Sequence, residues 1–269
     1  MNLILFTDAE LLTVQNCSQG IKASAFLKRR DIRALHLYKV LHKEKGETFD
    51  AGVLGGKIGS GIIAEINNAG LTINLVLNTE PPPRTPICLG VGFPRPIQLR
   101  RLLRDCASLG LSTVDLIYTE LGEKSYRDTK LLEDGGAQAA LAEGAVQARD
   151  TRLPILTVYP SLAEWLETKI SDIKNQADTI FIAADNVHPQ GTFTKFSPMQ
   201  KNSSQQNKSA NETNAVLAVG SERGWSDNER HLLESNGFVR LSFGSRSLRT
   251  ETACIAAAML VMEKIGLLD

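Results

Sequence analysis

Short apolar runs separated by turn residues set the rhythm of the first eighty residues. From Thr48 to Leu77, Phe49/Ala51/Val53, Ile62-Ile63-Ala64 and Leu71/Ile73/Leu75 alternate with Gly55-Gly56, Gly59-Ser60-Gly61 and Asn67-Asn68. Runs this short, punctuated this often, predict a small β-rich module, a barrel or meander. Pro81-Pro82-Pro83 then predicts a stiff extended joint. Beyond it the pattern changes. Ile87–Phe93, Val114–Tyr118, Ile155–Val158, Thr179–Ala183 and Val216–Val219 read as buried strands. Helical spacing appears at Pro96–Leu109 (Ile97, Leu99, Leu102, Leu103 and Cys106, closed by Gly110), at Gln138–Arg149 and at Ser161–Ile170. Strands alternating with helices predict a parallel sheet covered on both faces. The expected domains are therefore 1–80 and 84–269.

Residues 197–214 break that rhythm: eleven of the eighteen are Ser, Gln or Asn, which predicts a surface loop. Further on, Ser226-Asp227-Asn228-Glu229 is a capping box, and its helix should stop at Gly237. Leu241–Gly244 reads as a brief strand. Thr250 is placed to cap a last helix, with Glu251 at its positive end and Cys254, Ala258, Val261/Met262 and Ile265 as the buried stripe.

Composition and charge narrow the function classes. Across 269 residues, 30 Lys+Arg balance 30 Asp+Glu, so any attraction to nucleic acid must come from local patches. Two such patches exist. Residues 22–45 hold eight Lys/Arg, Arg29, Arg30 and Arg33 among them, against Asp31 and Glu44. Residues 84–104 add Arg84, Arg95, Arg100, Arg101 and Arg104 with no acid. Together they suggest a phosphate-lined cleft, with Arg29, Arg30, Arg33, Arg95, Arg100 and Arg101 as the candidate contacts to a nucleic-acid backbone. Cys17, Cys88, Cys106 and Cys254 form no C-x-x-C pair, and the four histidines show no H-E-x-x-H spacing, so no metal site is expected. Asp8 and Glu10 precede the first basic residue, Lys22, unlike a signal or transit peptide. With no run near the ~18 apolar residues of a membrane span, a soluble cytoplasmic protein is expected.

The glycine motifs divide. Gly90-x-Gly92 lies between a strand and a helix as in a dinucleotide site, but Pro94 and Arg95 stand where a third glycine belongs, so a tight strand-to-helix turn is expected. Gly56–Gly61 lacks phosphate-loop spacing and reads as a hairpin. Gly220-Ser221-Glu222-Arg223-Gly224 carries its serine one place too early for a nucleophile elbow. This last loop closes one strand, and Leu241-Ser242-Phe243-Gly244 and Ser247–Ala253 follow it. Glycine-bearing loops at strand ends expose backbone groups able to grip a purine and a sulfonium-bearing amino acid.

The run Leu241-x-Phe243-Gly244-Ser245-Arg246-Ser247-Leu248-Arg249-Thr250-Glu251-Thr252-Ala253 resembles the C-terminal signature of the RsmE family, SPOUT-class methyltransferases that modify a uridine at N3 in small-subunit ribosomal RNA. Gly220–Glu229 is similar to that family's G-P-E-G-G-F-S loop. Glu143-x-Ala145-x-Gln147-x-Arg149 with Leu153-Pro154, and His36-Leu37-x-x-Val40-Leu41, resemble its middle and N-terminal segments. Several positions depart: Ser221 and Arg223 replace a proline and a glycine, His42 an arginine, and Asp105 and Ser108 a lysine and a glutamate.

The resemblance implies that the nucleic acid met by the six arginines is RNA. It implies an α/β fold: a PUA-like β-barrel that binds RNA, then a SPOUT domain with a parallel sheet and a deep trefoil knot. It implies a homodimer that transfers a methyl group from S-adenosylmethionine to ribosomal RNA of the small subunit. The cofactor would lie among Ala184, Asp185, Val219, Gly220, Ser221, Glu222, Gly224, Leu241, Phe243, Gly244 and Leu248. Arg249 and Glu222 are the candidate catalytic residues, Arg249 for developing charge and Glu222 for loop orientation. Two rivals stay open: a SPOUT enzyme acting on another RNA or ring position, and an assembly factor that binds RNA without methyl transfer.

Overall fold

The computed structural model describes residues 3–18, 20–174, 179–198 and 215–268. The expected surface loop at 197–214 falls almost wholly outside them. The chain forms two compact units, Met1–Pro83 with Ala142–Leu153, and Arg84–Leu141 with Pro154–Asp269.

The first unit is a six-stranded sheet: β1 (Ile4–Phe6), β2 (Leu11–Cys17), β3 (Gly20–Lys28), β4 (Thr48–Val53), β5 (Ile58–Ile66) and β6 (Gly70–Thr79), in the order β1-β4-β5-β6-β3-β2. Only the β1–β4 pairing is parallel, and β1 and β2 remain its two edges. Alternate residues of β3 and β6 point inward, so Ala25, Leu27, Ile73, Leu75 and Leu77 build the core with Phe6 and Ile63. The helix α1 (Ile32–Leu35), capped by Asp31, runs into a π-turn at His36–Val40 and adds Ala34 and Leu37 to that core.

Residues 142–153 belong to this unit although they follow the prolines by sixty positions. Thr151 explains why. Its hydroxyl donates to the Gly56 carbonyl (2.5 Å) and its own carbonyl accepts from the Gly55 amide (2.7 Å). Its methyl lies 2.6 Å from where a β-carbon on Gly52 would stand, an approach only glycine permits. Arg149 adds an ion pair to Asp50 at 3.0 Å, and Arg152 donates to the carbonyls of Pro81 and Pro82. The sequence expectation of an uninterrupted second domain differs here because these links are polar and leave no trace in the hydrophobic pattern.

The second unit carries a seven-stranded sheet, β11-β13-β10-β12-β7-β8-β9, with every pairing parallel. Its strands are β7 (Thr85–Gly92), β8 (Leu111–Ile117), β9 (Ile155–Tyr159), β10 (Ile180–Ala184), β11 (Gly191–Thr192), β12 (Ala215–Val219) and β13 (Val239–Ser242). The helices are α2 (Pro96–Ser108), α3 (Gly136–Gln147, which runs on into the first unit), α4 (Leu162–Glu164), α5 (Ser171–Lys174), α6 (Asp227–Ser235) and α7 (Thr250–Lys264). A π-turn, Trp165–Ile170, joins α4 to α5.

α2 buries Leu99, Leu102, Leu103 and Cys106 as its spacing requires, whereas Ile97 stays exposed on the first turn. Gly90 and Gly92 are strand residues rather than turn residues. The Trp165 ring lies 2.5 Å from a β-carbon placed on Gly90, and the Ser221 amide 2.5 Å from one on Gly92. Both glycines serve packing. α7 begins one residue earlier in role than expected: Arg249 is the capping position and Thr250 the first, buried helical residue. Of the predicted apolar stripe, Cys254, Ala258, Val261 and Ile265 are buried and Met262 is half-buried.

Candidate active site at the carboxyl ends of β10, β12 and β13

β13, β10 and β12 are neighbours and all parallel, so the loops that leave them emerge at one edge of the sheet, where open α/β sheets bind ligands. These are the loops that carry Ala184-Asp185, Val219–Gly224 and Leu241–Arg249.

The loop after β12 is tightly built. Ser221 and Gly224 form an antiparallel bridge, with the Gly224 amide donating to the Ser221 carbonyl at 2.8 Å. A β-carbon on Gly220 would stand 2.9 Å from the Gly224 backbone, and Gly224 itself adopts φ +73°, so both glycines are required by the turn. Trp225 is buried beside them and donates from Nε1 to the Ala184 carbonyl at 3.0 Å, which ties this loop to β10. The capping box then forms as predicted. The Ser226 hydroxyl accepts from the Glu229 amide (3.1 Å), and Glu229 Oε2 accepts from the Ser226 amide (2.9 Å). Glu229 Oε1 also accepts from the Glu120 amide at 2.9 Å, while the Glu120 carboxylate takes hydrogen bonds from Ser226 (2.5 Å) and Asn228 (2.6 Å). Burial pushes the Glu229 carboxyl up against these donors, whereas hydrogen bonds from Ser226 and Asn228 hold exposed Glu120 below the ordinary value.

The charged residues of this loop face outward. Glu222 pairs with Arg95 at 3.1 Å, and Arg95 Nε also donates to the Tyr126 hydroxyl at 3.0 Å. Arg223 lies 3.8 Å from Glu123.

Asp185, after β10, is buried and saturated. Its Oδ1 accepts from the amides of Val187 (2.9 Å) and His188 (3.3 Å), and its Oδ2 accepts from Arg230 Nε (2.8 Å), with Arg240 at 3.9 Å. Burial alone would raise this carboxyl, but the Arg230 hydrogen bond and the two amides hold it below the ordinary aspartate range. The next residue, Asn186, reaches across to the third loop. Its Oδ1 accepts from the Phe243 amide (3.1 Å), and its Nδ2 donates to the carbonyls of Gly244 (3.3 Å) and Arg246 (2.8 Å). Phe243 stacks on buried Phe193 with ring centroids 4.5 Å apart. Leu241 is buried, Leu248 and Arg249 are exposed, and Gly244 has φ +102°. Arg249 makes no ion pair or side-chain hydrogen bond among the described residues. Asn186, Trp225 and Glu120 were not anticipated from sequence.

The candidate RNA contacts separate. Arg30, Arg95, Arg100 and Arg101 are exposed. Arg29 donates to the Asn67 carbonyl (3.2 Å) and lies over Tyr38. Arg33 differs. Its Nε donates to Asp31, its Nη1 to the Leu5 carbonyl and Glu10, and its Nη2 to Glu10 and Asp31. All five guanidinium donors are therefore engaged inside the first unit. Among the described residues no cluster of His, Cys, Asp and Glu has the geometry to hold a metal, and no helix is long and apolar enough to cross a membrane.

An RNA methyltransferase domain model matches residues 80–262. The chain is 37 % identical over 265 residues to ribosomal RNA small subunit methyltransferase E of Treponema pallidum, covering 97 % of this chain and 91 % of the relative. It is 29 % identical to ribosomal RNA small subunit methyltransferase E 1 of Borreliella burgdorferi, covering 98 % and 99 %. The fold matches a ribosomal RNA small subunit methyltransferase E from Neisseria gonorrhoeae bound to S-adenosyl methionine, with TM-score 0.65 at 16 % identity over 97 % of each chain. The class is thus an RNA methyltransferase of SPOUT fold. Within that class, the chain belongs to the ribosomal RNA small subunit methyltransferase E family.

Proposed function

We propose that this protein transfers a methyl group from S-adenosylmethionine to N3 of a uridine in small-subunit ribosomal RNA, acting as a cytoplasmic homodimer. The observation that carries the reading is the convergence of three loops, two of them glycine-bearing, at the carboxyl ends of adjacent parallel strands. Such loops suit a nucleoside ligand. Their backbone groups supply hydrogen bonds, and Leu241, Phe243 and Leu248 supply apolar cover for an adenine. When bound, S-adenosylmethionine supplies an electrophilic methyl group on a sulfonium.

The chain's own residues do the rest. Val219, Gly220, Ser221 and Gly224 shape one wall. Ala184 and Asp185 set the second, with the Asp185 carboxylate fixing the loop rather than meeting the ligand. Uridine N3 is weakly acidic, so its deprotonated form must be favoured, which leaves negative charge on the neighbouring ring oxygens. Arg249 is the group we assign to that charge, because its guanidinium is exposed and uncommitted among the described residues while its backbone is fixed at the head of α7. Glu222 orients its loop through Arg95. Arg223 lies toward Glu123 and the Ser221 hydroxyl donates to the Gly224 carbonyl within the turn, so neither unusual residue of the loop argues for an inactive assembly factor.

The first unit would be a PUA-like RNA-binding module, with Arg29 and Arg30 as its phosphate contacts and Arg33 as an internal brace. Arg95, Arg100 and Arg101 would extend the RNA surface in the second unit. A C-terminal trefoil knot belongs to the same reading; the placement of β10 between β12 and β13 supports it.

The test is transfer itself. Small ribosomal subunits that lack the modification, incubated with the protein and labelled S-adenosylmethionine, should gain 3-methyluridine at one position by mass spectrometry. Label on another base, or none, overturns the reading. Replacing Arg29 and Arg30 together by alanine should weaken RNA binding several-fold and lower its salt slope by about 1–2, with donor affinity unchanged. An unaltered slope would assign those charges to an ordinary solvated face.

A further inference from the structure

We propose that Asn186 is a positioning residue of the methyl-donor site, a carboxamide latch that holds residues 243–246 against the end of β10. This inference rests on the function proposed above. Its basis is one side chain joining two loops 57 to 60 positions apart, with one hydrogen bond accepted and two donated. The Phe243 amide needs an acceptor, and the carbonyls of Gly244 and Arg246 need donors. A carboxamide carries both functions on one planar fork, and the surroundings dictate which end is oxygen. A carboxylate could meet only the first demand.

The latch stands on a rigid base. Asp185, its neighbour in the chain, is anchored by the Arg230 guanidinium and two backbone amides, and the Asp185 amide itself donates to the Leu241 carbonyl at 2.9 Å. Beyond the stack of Phe243 on Phe193, the segment it holds has little other support. Residues 244–249 are exposed, and among the described residues the side-chain hydrogen bonds that reach 243–248 all come from Asn186. Downstream of the latched carbonyls come Leu248 and Arg249, assigned above to adenine and to charge. Asn186 therefore governs where the third wall of the site stands without needing to touch the donor. Because Gly244 and Arg246 are exposed and Phe243 is only half-buried, removing Asn186 leaves no fully buried polar group orphaned, so the fold should not depend on it.

Asn186→Ala and Asn186→Asp separate positioning from structure. The alanine variant loses three hydrogen bonds. The aspartate variant keeps the acceptor but sets a charge against two carbonyl oxygens, and should be the more damaging although it is nearly isosteric. Titration calorimetry with S-adenosylmethionine should show affinity falling by about tenfold in Asn186→Ala and further in Asn186→Asp. Steady-state kinetics should place the change in the KM for the donor, with kcat at saturation within about twofold, because the loop can still be ordered by bound ligand. Melting temperatures should stay within a degree or two of wild type. Wild-type affinity in both variants overturns the latch, as does a loss of affinity that tracks a loss of melting temperature. A wild-type protein that takes up no S-adenosylmethionine overturns the latch and the proposed function together; intact wild-type binding with unaffected variants overturns the latch alone.

Discussion

The two loops that flank β10 are built on opposite plans. The loop after β12 is cross-braced: a Ser221–Gly224 bridge, buried Trp225 bonded to β10, and a buried Glu229 that satisfies two backbone amides from different segments. The loop after β13 is exposed from Gly244 to Arg249 and is held by the Phe243–Phe193 stack and the carboxamide of Asn186. A site made from one rigid wall and one lightly held wall can admit a ligand and then close on it. In the proposed site the braced wall would fix the ligand's position, and the other would add contacts once the ligand is present. Substitutions should therefore act differently on the two sides.

The largest effect is expected where the rigid wall has no slack. Gly220→Val places a side chain against the Gly224 backbone, 2.9 Å from its β-carbon, so the turn cannot keep its shape. Binding of S-adenosylmethionine should be abolished in calorimetry while circular dichroism still reports a folded chain. Gly244→Val should also impair binding, but through backbone strain at φ +102°, since its β-carbon would meet open space. Binding retained by Gly220→Val would mean that this wall is not part of the site.

Next comes chemistry without binding. Arg249→Ala should slow single-turnover methyl transfer by about 10²–10³-fold, the scale of removing one preorganised donor, with donor affinity and melting temperature nearly unchanged. Arg249→Lys should recover part of the rate, because an ammonium lacks the planar fork. Should the alanine variant keep its rate and fall apart into monomers, Arg249 is an interface residue.

The bracing itself is tested by Glu229→Ala, which leaves the amides of Glu120 and Ser226 without their acceptor and removes the reciprocal half of the capping box. Urea unfolding should show a loss of about 1–3 kcal/mol, in contrast to the near-silent stability of the Asn186 variants.

The smallest effect concerns acid. Asp185 titrates below the ordinary aspartate value of 3.8 in the folded chain, because Arg230 and two amides outweigh its burial. A lowered folded-state value means that its stabilisation is present above pH 3.8 and is lost as pH falls through the folded value. The stability difference between wild type and Asp185→Asn, followed by chemical unfolding from pH 6 down to about 2, should therefore be constant above that point and shrink below it. A difference that grows toward acid pH would contradict the assignment.

Much of this contrast was legible in the sequence, and the parts that were not share a physical cause. Strand runs such as Val216–Val219, the capping box at Ser226 and the apolar stripe of α7 depend on local spacing, so they can be read along the chain. The glycine turn at 220–224 was visible for the same reason. Asn186 and Glu120 act through hydrogen bonds across 57 to 60 and 106 to 109 positions, which no local pattern encodes. The same holds for Thr151, which draws a stretch of the second half of the chain into the first unit. Arg33 shows the converse error. A basic run looks alike whether its guanidinium groups are free or, as here, shared between Glu10 and Asp31.

Hydrogen exchange followed by mass spectrometry, with and without S-adenosylmethionine, tests the central claim most directly. Amides of residues 241–249 should exchange quickly in the free protein and become strongly protected on binding. Those of 220–229 should be slow already and change little, and amides of the first unit should not respond. Protection confined to another part of the chain, or an equal response in the two loops, would contradict the account of one rigid and one closing wall.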